Sequence, residues 1–316
     1  MKTIRKISAV SLLCLTLFTV VTVSCTEENE PPTTTQEVQN RNHQTARTQF
    51  ITVKGNAIAY RVLGKEDGIP LVLLPGLGGS MDDWDPAVTD GLAKKYKVII
   101  FDNKGVASSK GTTPNTVQAM ADDAVDFIKA LHLTQVNIMG FSMGGFVAQR
   151  IVLTNPSLIN KVILTGTGPQ GAIGLSNLPN IIAGTAGLSP EASYLKFGFT
   201  ESAQSTAEGK ASFARVQLRT TDRDLPLNDA ASNAQFTAVL SWAQPNADAL
   251  TEIEKIKKPV LIVHGENDLP VSVQNAKNMA QHLDDAELVI FPDSGHASFY
   301  QYHDTFVAKA IEFLGK

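Results

Sequence analysis

The chain holds 316 residues, 43% hydrophobic and 18% charged, with 27 Lys and Arg against 31 Asp and Glu for a formal net charge of −4. That is enough length and apolar content for one large α/β domain with a well-buried core. The first 24 residues carry Lys2, Arg5 and Lys6 and no acidic residue, so the remainder stands at −7, a balance that argues against nucleic acid as a partner.

Those three cations precede an uncharged, mainly apolar run over 7–23, closed by Ser24 and Cys25, an order that predicts an export signal over 1–24. Cys14 falls inside that signal, which leaves Cys25 as the sole thiol of the exported protein and no intramolecular disulfide. A small residue followed by Cys at this place resembles the cleavage site of bacterial lipoproteins. The resemblance implies a lipidated Cys25, membrane attachment through it, and a location at the periplasmic face or cell surface. The acidic run Glu27, Glu28 and Glu30 resembles the surface-export signals of some Gram-negative lipoproteins. Ordinary secretion and an uncleaved anchor are the alternatives, since an apolar run of about 17 residues is only just long enough to span a bilayer. Residues 25–49 are polar, contain Pro31 and Pro32, and are predicted to be a disordered tether ahead of a domain over 50–316.

Beyond the tether, "QFITVKG", "NAIAYRVLG" and "IPLVLLPG" are β-rich runs separated by turn residues, which predicts an antiparallel entry into a sheet. "YKVIIFD", "QVNIMGF", "KVILTG", "PVLIVHG" and "AELVIF" are nearly continuous apolar runs, as parallel strands buried on both faces require. Between them, 117–131, 143–153, 273–283 and 304–314 place apolar residues at helical spacing. The pattern predicts a mostly parallel, doubly wound α/β sheet. One interval, 169–256, holds no buried strand and is far too long for a simple crossover, so an inserted helical lid is expected there. Within it, Phe236, Val239, Leu240 and Ala243 fall at i, i+3, i+4 and i+7, a stripe expected to face a core rather than a substrate.

Ligands of parallel sheets bind at the carboxyl ends of the strands. One such end reads "VNIMGFSMGG", with Gly140 two residues before Ser142 and Gly144 two residues after. A sharp strand-to-helix turn brings those two positions together, so both must be small, and it holds the central side chain exposed on a strained backbone. The following helix directs its positive end at Ser142, where an oxyanion is favoured. "VLIVHGENDLPVSV" places Asp268 just past another strand, and "LVIFPDSGHASFY" places His296 in the loop after the last one. A serine hydroxyl needs a base to take its proton, and imidazole serves best when a buried carboxylate fixes its tautomer. The chain order Ser142, Asp268, His296 is that of the nucleophile-elbow fold.

On these residues, 50–316 resembles the α/β-hydrolase fold family, in its esterase and haloperoxidase-like branches. The resemblance implies that Ser142 is the nucleophile, His296 the general base and Asp268 the orienting acid. The backbone N–H groups of Leu77, in "LLPGLGGS", and of Met143 would form the oxyanion hole. It further implies a small or medium carboxylic ester, or a related small-molecule acyl substrate, cleaved through an acyl-enzyme intermediate with no cofactor. Perhydrolase, lactonase and aminopeptidase chemistry on the same triad stay open, as does a binding lipoprotein that kept the fold. Pro75 stands where relatives usually carry His. Lys104 and Ala107 in "FDNKGVASS" stand where Arg and Gly are usual, so that loop is expected to be arranged differently. Glu266 and Asp293 are rivals to Asp268, and His264 reads as a packed structural histidine. His43, His132, His282 and His303 have no partner at metal-ligand spacing, so no metal is expected. The inserted segment offers Tyr194, Phe197, Phe199, Phe213, Phe236 and Trp242 for the pocket without distinguishing among them.

Overall fold

The computed structural model describes residues 41–65 and 67–316; the expected export signal, Cys25 and most of the expected tether lie outside the described residues. All eight apolar runs become strands: β1 (Gln49–Val53), β2 (Asn56–Gly64), β3 (Leu71–Leu74), β4 (Lys97–Phe101), β5 (Val136–Phe141), β6 (Ile159–Thr165), β7 (Val260–Gly265) and β8 (Ala286–Phe291). They form one sheet in the order β1-β2-β4-β3-β5-β6-β7-β8. β1 and β2 enter antiparallel, and every pairing from β4 onward is parallel.

The continuous apolar runs are explained by burial on both faces. Val72, Leu74, Ile99, Ile138 and Ile262 face one core, which α2 (Val117–Ala130), α3 (Met143–Thr154) and α9 (Val273–His282) cover. Their alternates Leu71, Leu73, Val98, Met139 and Leu261 face a second core. That one is covered by α1 (Pro86–Ala93), the short α10 (Ser298–Gln301) and α11 (His303–Gly315). A one-residue slip in any central strand would exchange these two sets. The four helices expected from apolar spacing all form, within one or two residues of their expected ends.

Between β6 and β7 the chain builds five helices: α4 (Leu178–Ala183), α5 (Pro190–Gly198), α6 (Ala203–Val216), α7 (Asp229–Trp242) and α8 (Ala249–Ile253). Side chains at their starts satisfy free N–H groups: Ser189 caps α5, Ser202 caps α6 and Asn228 caps α7. The segment is fastened to the sheet by buried charge. Arg215 reaches Asp85 with two nitrogens, at 2.8 and 2.7 Å, and Ser212 Oγ donates to the same carboxylate at 2.6 Å. Arg61, fully buried on β2, pairs with Asp82 and donates to Asp224 Oδ1 at 3.2 Å and the Asp222 carbonyl at 2.8 Å. Removing one partner from such a pair leaves a buried charge uncompensated, typically at a cost of about 3–5 kcal/mol.

Residues 41–48, which composition assigns to the tether, are instead part of the folded domain, with His43 and Ala46 buried. His43 N–H donates to Asp90 Oδ1 at 2.7 Å, and its ring Nδ1 lies 3.0 Å from Thr89 Oγ1. Arg219 donates to the carbonyls of His43, Gln44 and Ala46 at 2.8, 3.1 and 2.9 Å. Long-range polar contacts thus order a stretch too poor in apolar residues to bury itself.

This placement gives the imidazole a pH signature. Burial, helped by the nearby Arg61 and Arg219 charges, lowers the His43 pKa to about 4 from 6.5. The unfolded chain therefore takes up this proton first, and the stability present above about pH 6.5 is lost as pH falls toward 4. The loss is at most of order 3 kcal/mol. Denaturant titrations at pH 7 and pH 4.5 are expected to show a smaller pH-dependent loss in His43→Gln than in wild type; equal losses would exclude the assignment.

Candidate active site

Ser142 sits between β5 and α3 with φ 53° and ψ −118°, a backbone that β-carbon-bearing residues rarely adopt. The turn is held from every side. Ser142 N–H donates to the Thr165 carbonyl at 2.9 Å, and its own carbonyl accepts from Gly145 N–H at 2.8 Å and Thr167 Oγ1 at 2.9 Å. The flanking glycines are sterically required. A β-carbon at Gly140 would collide with the Gly144 carbonyl, and one at Gly144 with the Leu74 and Pro75 carbonyls. This is the crowding that the spacing around Ser142 predicts.

Asp268 and His296 are brought together from loops after β7 and β8. His296 Nδ1 lies 2.8 Å from Asp268 Oδ2, and both residues are buried. The oxygen accepts, so Nδ1 carries the proton and Nε2 is left as the basic nitrogen of the neutral ring. Asp268 Oδ1 accepts from Val271 N–H at 2.9 Å. Burial by itself would push this carboxyl up, but the charges of His296 and His264 and their hydrogen bonds outweigh it and hold it well below the usual carboxylate range. The two rivals are placed elsewhere. Glu266 is exposed, and Asp293 accepts from Thr200 Oγ1 at 2.7 Å and Ser202 Oγ at 2.6 Å.

His264 is packed, as expected, yet it also touches the site. Its Nε2 lies 2.7 Å from the Val271 carbonyl and 3.1 Å from Asp268 Oδ2. Two acceptors fix the proton on Nε2, so Asp268 Oδ2 meets two histidine donors. Burial lowers the His264 pKa and the Asp268 carboxylate raises it, with a net upward direction.

Ser142 and His296 line one apolar cavity of about 50 Å³, together with Gly76 and Leu77. His296 Nε2 has no hydrogen-bond partner among the described residues. Catalytic bonds of this kind are commonly long in an unliganded enzyme and close in the complex. Gly76 lies against Ser142, since a β-carbon there would be 3.4 Å from Ser142 Cβ. The next peptide is steadied from the inserted segment, where buried Gln235 of α7 accepts the Gly78 N–H at 2.8 Å. Nothing in the sequence singles out Gln235, which contacts a residue 157 positions away.

In the loop carrying Lys104 and Ala107, Ala107 itself takes the left-handed backbone that glycine adopts readily, with φ 47°. Asp102 holds it there, accepting Ser108 N–H and Met81 N–H at 2.9 Å each, while Ser109 Oγ donates to the Asp102 carbonyl at 2.8 Å. The α7 stripe, expected to face a core, is divided. Val239 and Ala243 are buried, but Phe236 is half-buried and lines an open groove with Leu77 and Phe197. Of the other aromatic candidates, Trp242 stacks on Phe146 at 5.2 Å and Phe199 is buried in the core. Tyr194 and Phe197 reach a second cavity beside His296. Among the described residues, no group of three or more His, Cys, Asp or Glu could hold a metal ion.

The sequence model of the alpha/beta hydrolase fold matches residues 69–301, a span that runs from the start of β3 through His296. Among characterised proteins, the chain is 27% identical over 290 residues to proline iminopeptidase PfmaB of Pestalotiopsis fici, covering 85% of this chain and 99% of that one. It is 26% identical over 263 residues to the pimeloyl-[acyl-carrier protein] methyl ester esterase of Nitrosomonas europaea, covering 77% and 94%. Among solved structures, an alpha/beta hydrolase fold protein from Chitinophaga pinensis superposes with a TM-score of 0.84 at 41% identity, covering 86% of this chain and 98% of that one. With its sheet order, its helices on both faces and a family match over most of its length, the chain belongs to the alpha/beta hydrolase family.

Proposed function

We propose that the protein is a serine hydrolase that cleaves a small or medium carboxylic ester through an acyl-enzyme. The observation that carries this reading is one arrangement: a serine on a strained turn shares a cavity with a histidine whose far nitrogen is bonded to a buried carboxylate. Ser142 Oγ attacks the carbonyl carbon while His296 Nε2 takes its proton, and Asp268 keeps the imidazole in the tautomer that can accept it. The Leu77 and Met143 N–H groups stabilise the oxyanion. The carbon–oxygen bond to the alcohol then breaks, with His296 returning the proton to the leaving oxygen. Water adds to the acyl-enzyme along the same proton path and releases the acid. The five helices after β6 serve as a lid over the nucleophile, and the N-terminal pattern supports export with lipid attachment at Cys25.

A fluorophosphonate probe is expected to label the wild-type protein and to leave a folded Ser142→Ala variant unlabelled. Labelling that persists in the variant, or fails in folded wild type, would refute the assignment of Ser142.

A further inference from the structure

Three cavities meet at Leu77 and Phe197, and one of them is lined by both Ser142 and His296. The smallest, about 50 Å³, is lined by both residues and closed by Leu175, Leu178 and Val239. A second, about 270 Å³, is lined by His296 but not Ser142, and its walls are Trp84, Tyr194 and Tyr300 with Asp83 at the edge. A third, an open groove of about 420 Å³, is bordered by Ile182, Ser232, Asn233 and Phe236 and touches neither.

Chemistry assigns the occupants, given the serine-hydrolase reading on which this inference rests. An acyl group bonded to Ser142 Oγ must begin in the cavity that Ser142 lines. A leaving oxygen must receive its proton from His296, so the alcohol belongs in the cavity that His296 lines and Ser142 does not. The first cavity, about 50 Å³, is less than a fifth of the second, about 270 Å³, so the acyl side has the smaller space and the alcohol the larger. Phe197 stands where a longer acyl chain would turn into the groove. Its ring meets the His296 ring edge-on, with centroids 5.4 Å apart. Its helix end is docked on the same loop, where Ala297 N–H donates to the Gly198 carbonyl at 2.8 Å. Phe197 is therefore fixed relative to His296.

We propose that the enzyme takes esters of short acyl chains with bulkier, aryl-sized alcohols. Phe197, backed by Leu77, is the specificity-determining wall that keeps the acyl side short.

The test is kcat/KM of the full chain, solubilised in detergent, on p-nitrophenyl acetate, butyrate, hexanoate and octanoate, with fluorophosphonate labelling in parallel. Wild type is expected to lose about a hundredfold or more between butyrate and octanoate. Phe197→Ala, which joins the small cavity to the groove, is expected to raise the octanoate-to-acetate ratio about tenfold or more. Leu178→Ala enlarges the same cavity from another wall and is expected to shift the optimum toward hexanoate without admitting octanoate equally well. A flat wild-type profile in a labelled enzyme overturns the proposal, as does a folded Phe197→Ala variant with an unchanged ratio. Absence of both labelling and hydrolysis in folded wild type overturns the serine-hydrolase reading and this inference with it.

Discussion

Ser142→Ala is expected to lower kcat by about four to six powers of ten while leaving KM and thermal stability close to wild type. Nucleophile, base and orienting acid act as a unit, so removing the nucleophile removes nearly all of the acceleration that the unit supplies. The residual rate would come from the oxyanion donors and from substrate positioning, which the substitution leaves in place. Stability is expected to be retained because Ser142 holds the turn through its backbone: its N–H bonds to Thr165 and its carbonyl is bonded by Gly145 and Thr167. Its side chain supplies none of these bonds. The strain at φ 53° is common to Ser and Ala, neither of which is relieved as glycine would be. Steady-state kinetics on any hydrolysed ester, paired with a thermal melt, decides the matter. A kcat within about tenfold of wild type would mean that another residue attacks the carbonyl.

Asp268→Asn should cost about three to four powers of ten in kcat, a larger loss than its isosteric shape alone would cause. The carboxylate meets three donors: Val271 N–H at Oδ1, and the His296 and His264 nitrogens at Oδ2. An amide has one accepting oxygen. If that oxygen faces Val271, the amide nitrogen confronts both histidines and drives the His296 proton to Nε2, where it can no longer take the serine proton. If the oxygen faces the histidines, the amide N–H meets the Val271 N–H in a buried site, which costs about 1–3 kcal/mol of stability. Both orientations are measurable. The first shows as lost kcat with a retained melting temperature, the second as lost melting temperature with partial activity. Wild-type values in both would remove Asp268 from the role proposed for it.

The parts of this molecule that were legible in the sequence are those encoded by local pattern. The apolar runs of β3 to β7 declare burial on both faces, and Gly140, Ser142 and Gly144 declare a tight turn because sterics act over two residues. What the sequence could not show depends on pairings made only by folding. Arg61 lies in a run that reads simply as a strand, yet it is wholly buried because Asp82 and Asp224 arrive from 21 and 163 residues away. Gln235 looks like any helix polar residue until α7 is laid across Gly78. Phe197 is one of six aromatic residues in the inserted segment, and no spacing rule distinguishes the one beside His296 from Phe199, two residues on and buried in the core. Ala107 shows the converse, where a local preference against positive φ is overruled by the Asp102 hydrogen bonds around it.

The clasp of Arg219 on residues 43–46 bears on where the folding unit can be cut. A protein trimmed to begin at Phe50 would retain every strand of the sheet except the first residue of β1, and would look complete by its topology. It would nonetheless take three carbonyl acceptors at once from the almost fully buried Arg219 guanidinium, leaving it the Asp222 carbonyl and carboxylate and Asp82. That arginine belongs to the connection between α6 and α7, so the damage would pass from the amino terminus into the inserted helical segment. A trimmed form of this protein must accordingly keep His43, Gln44 and Ala46, ahead of its first strand.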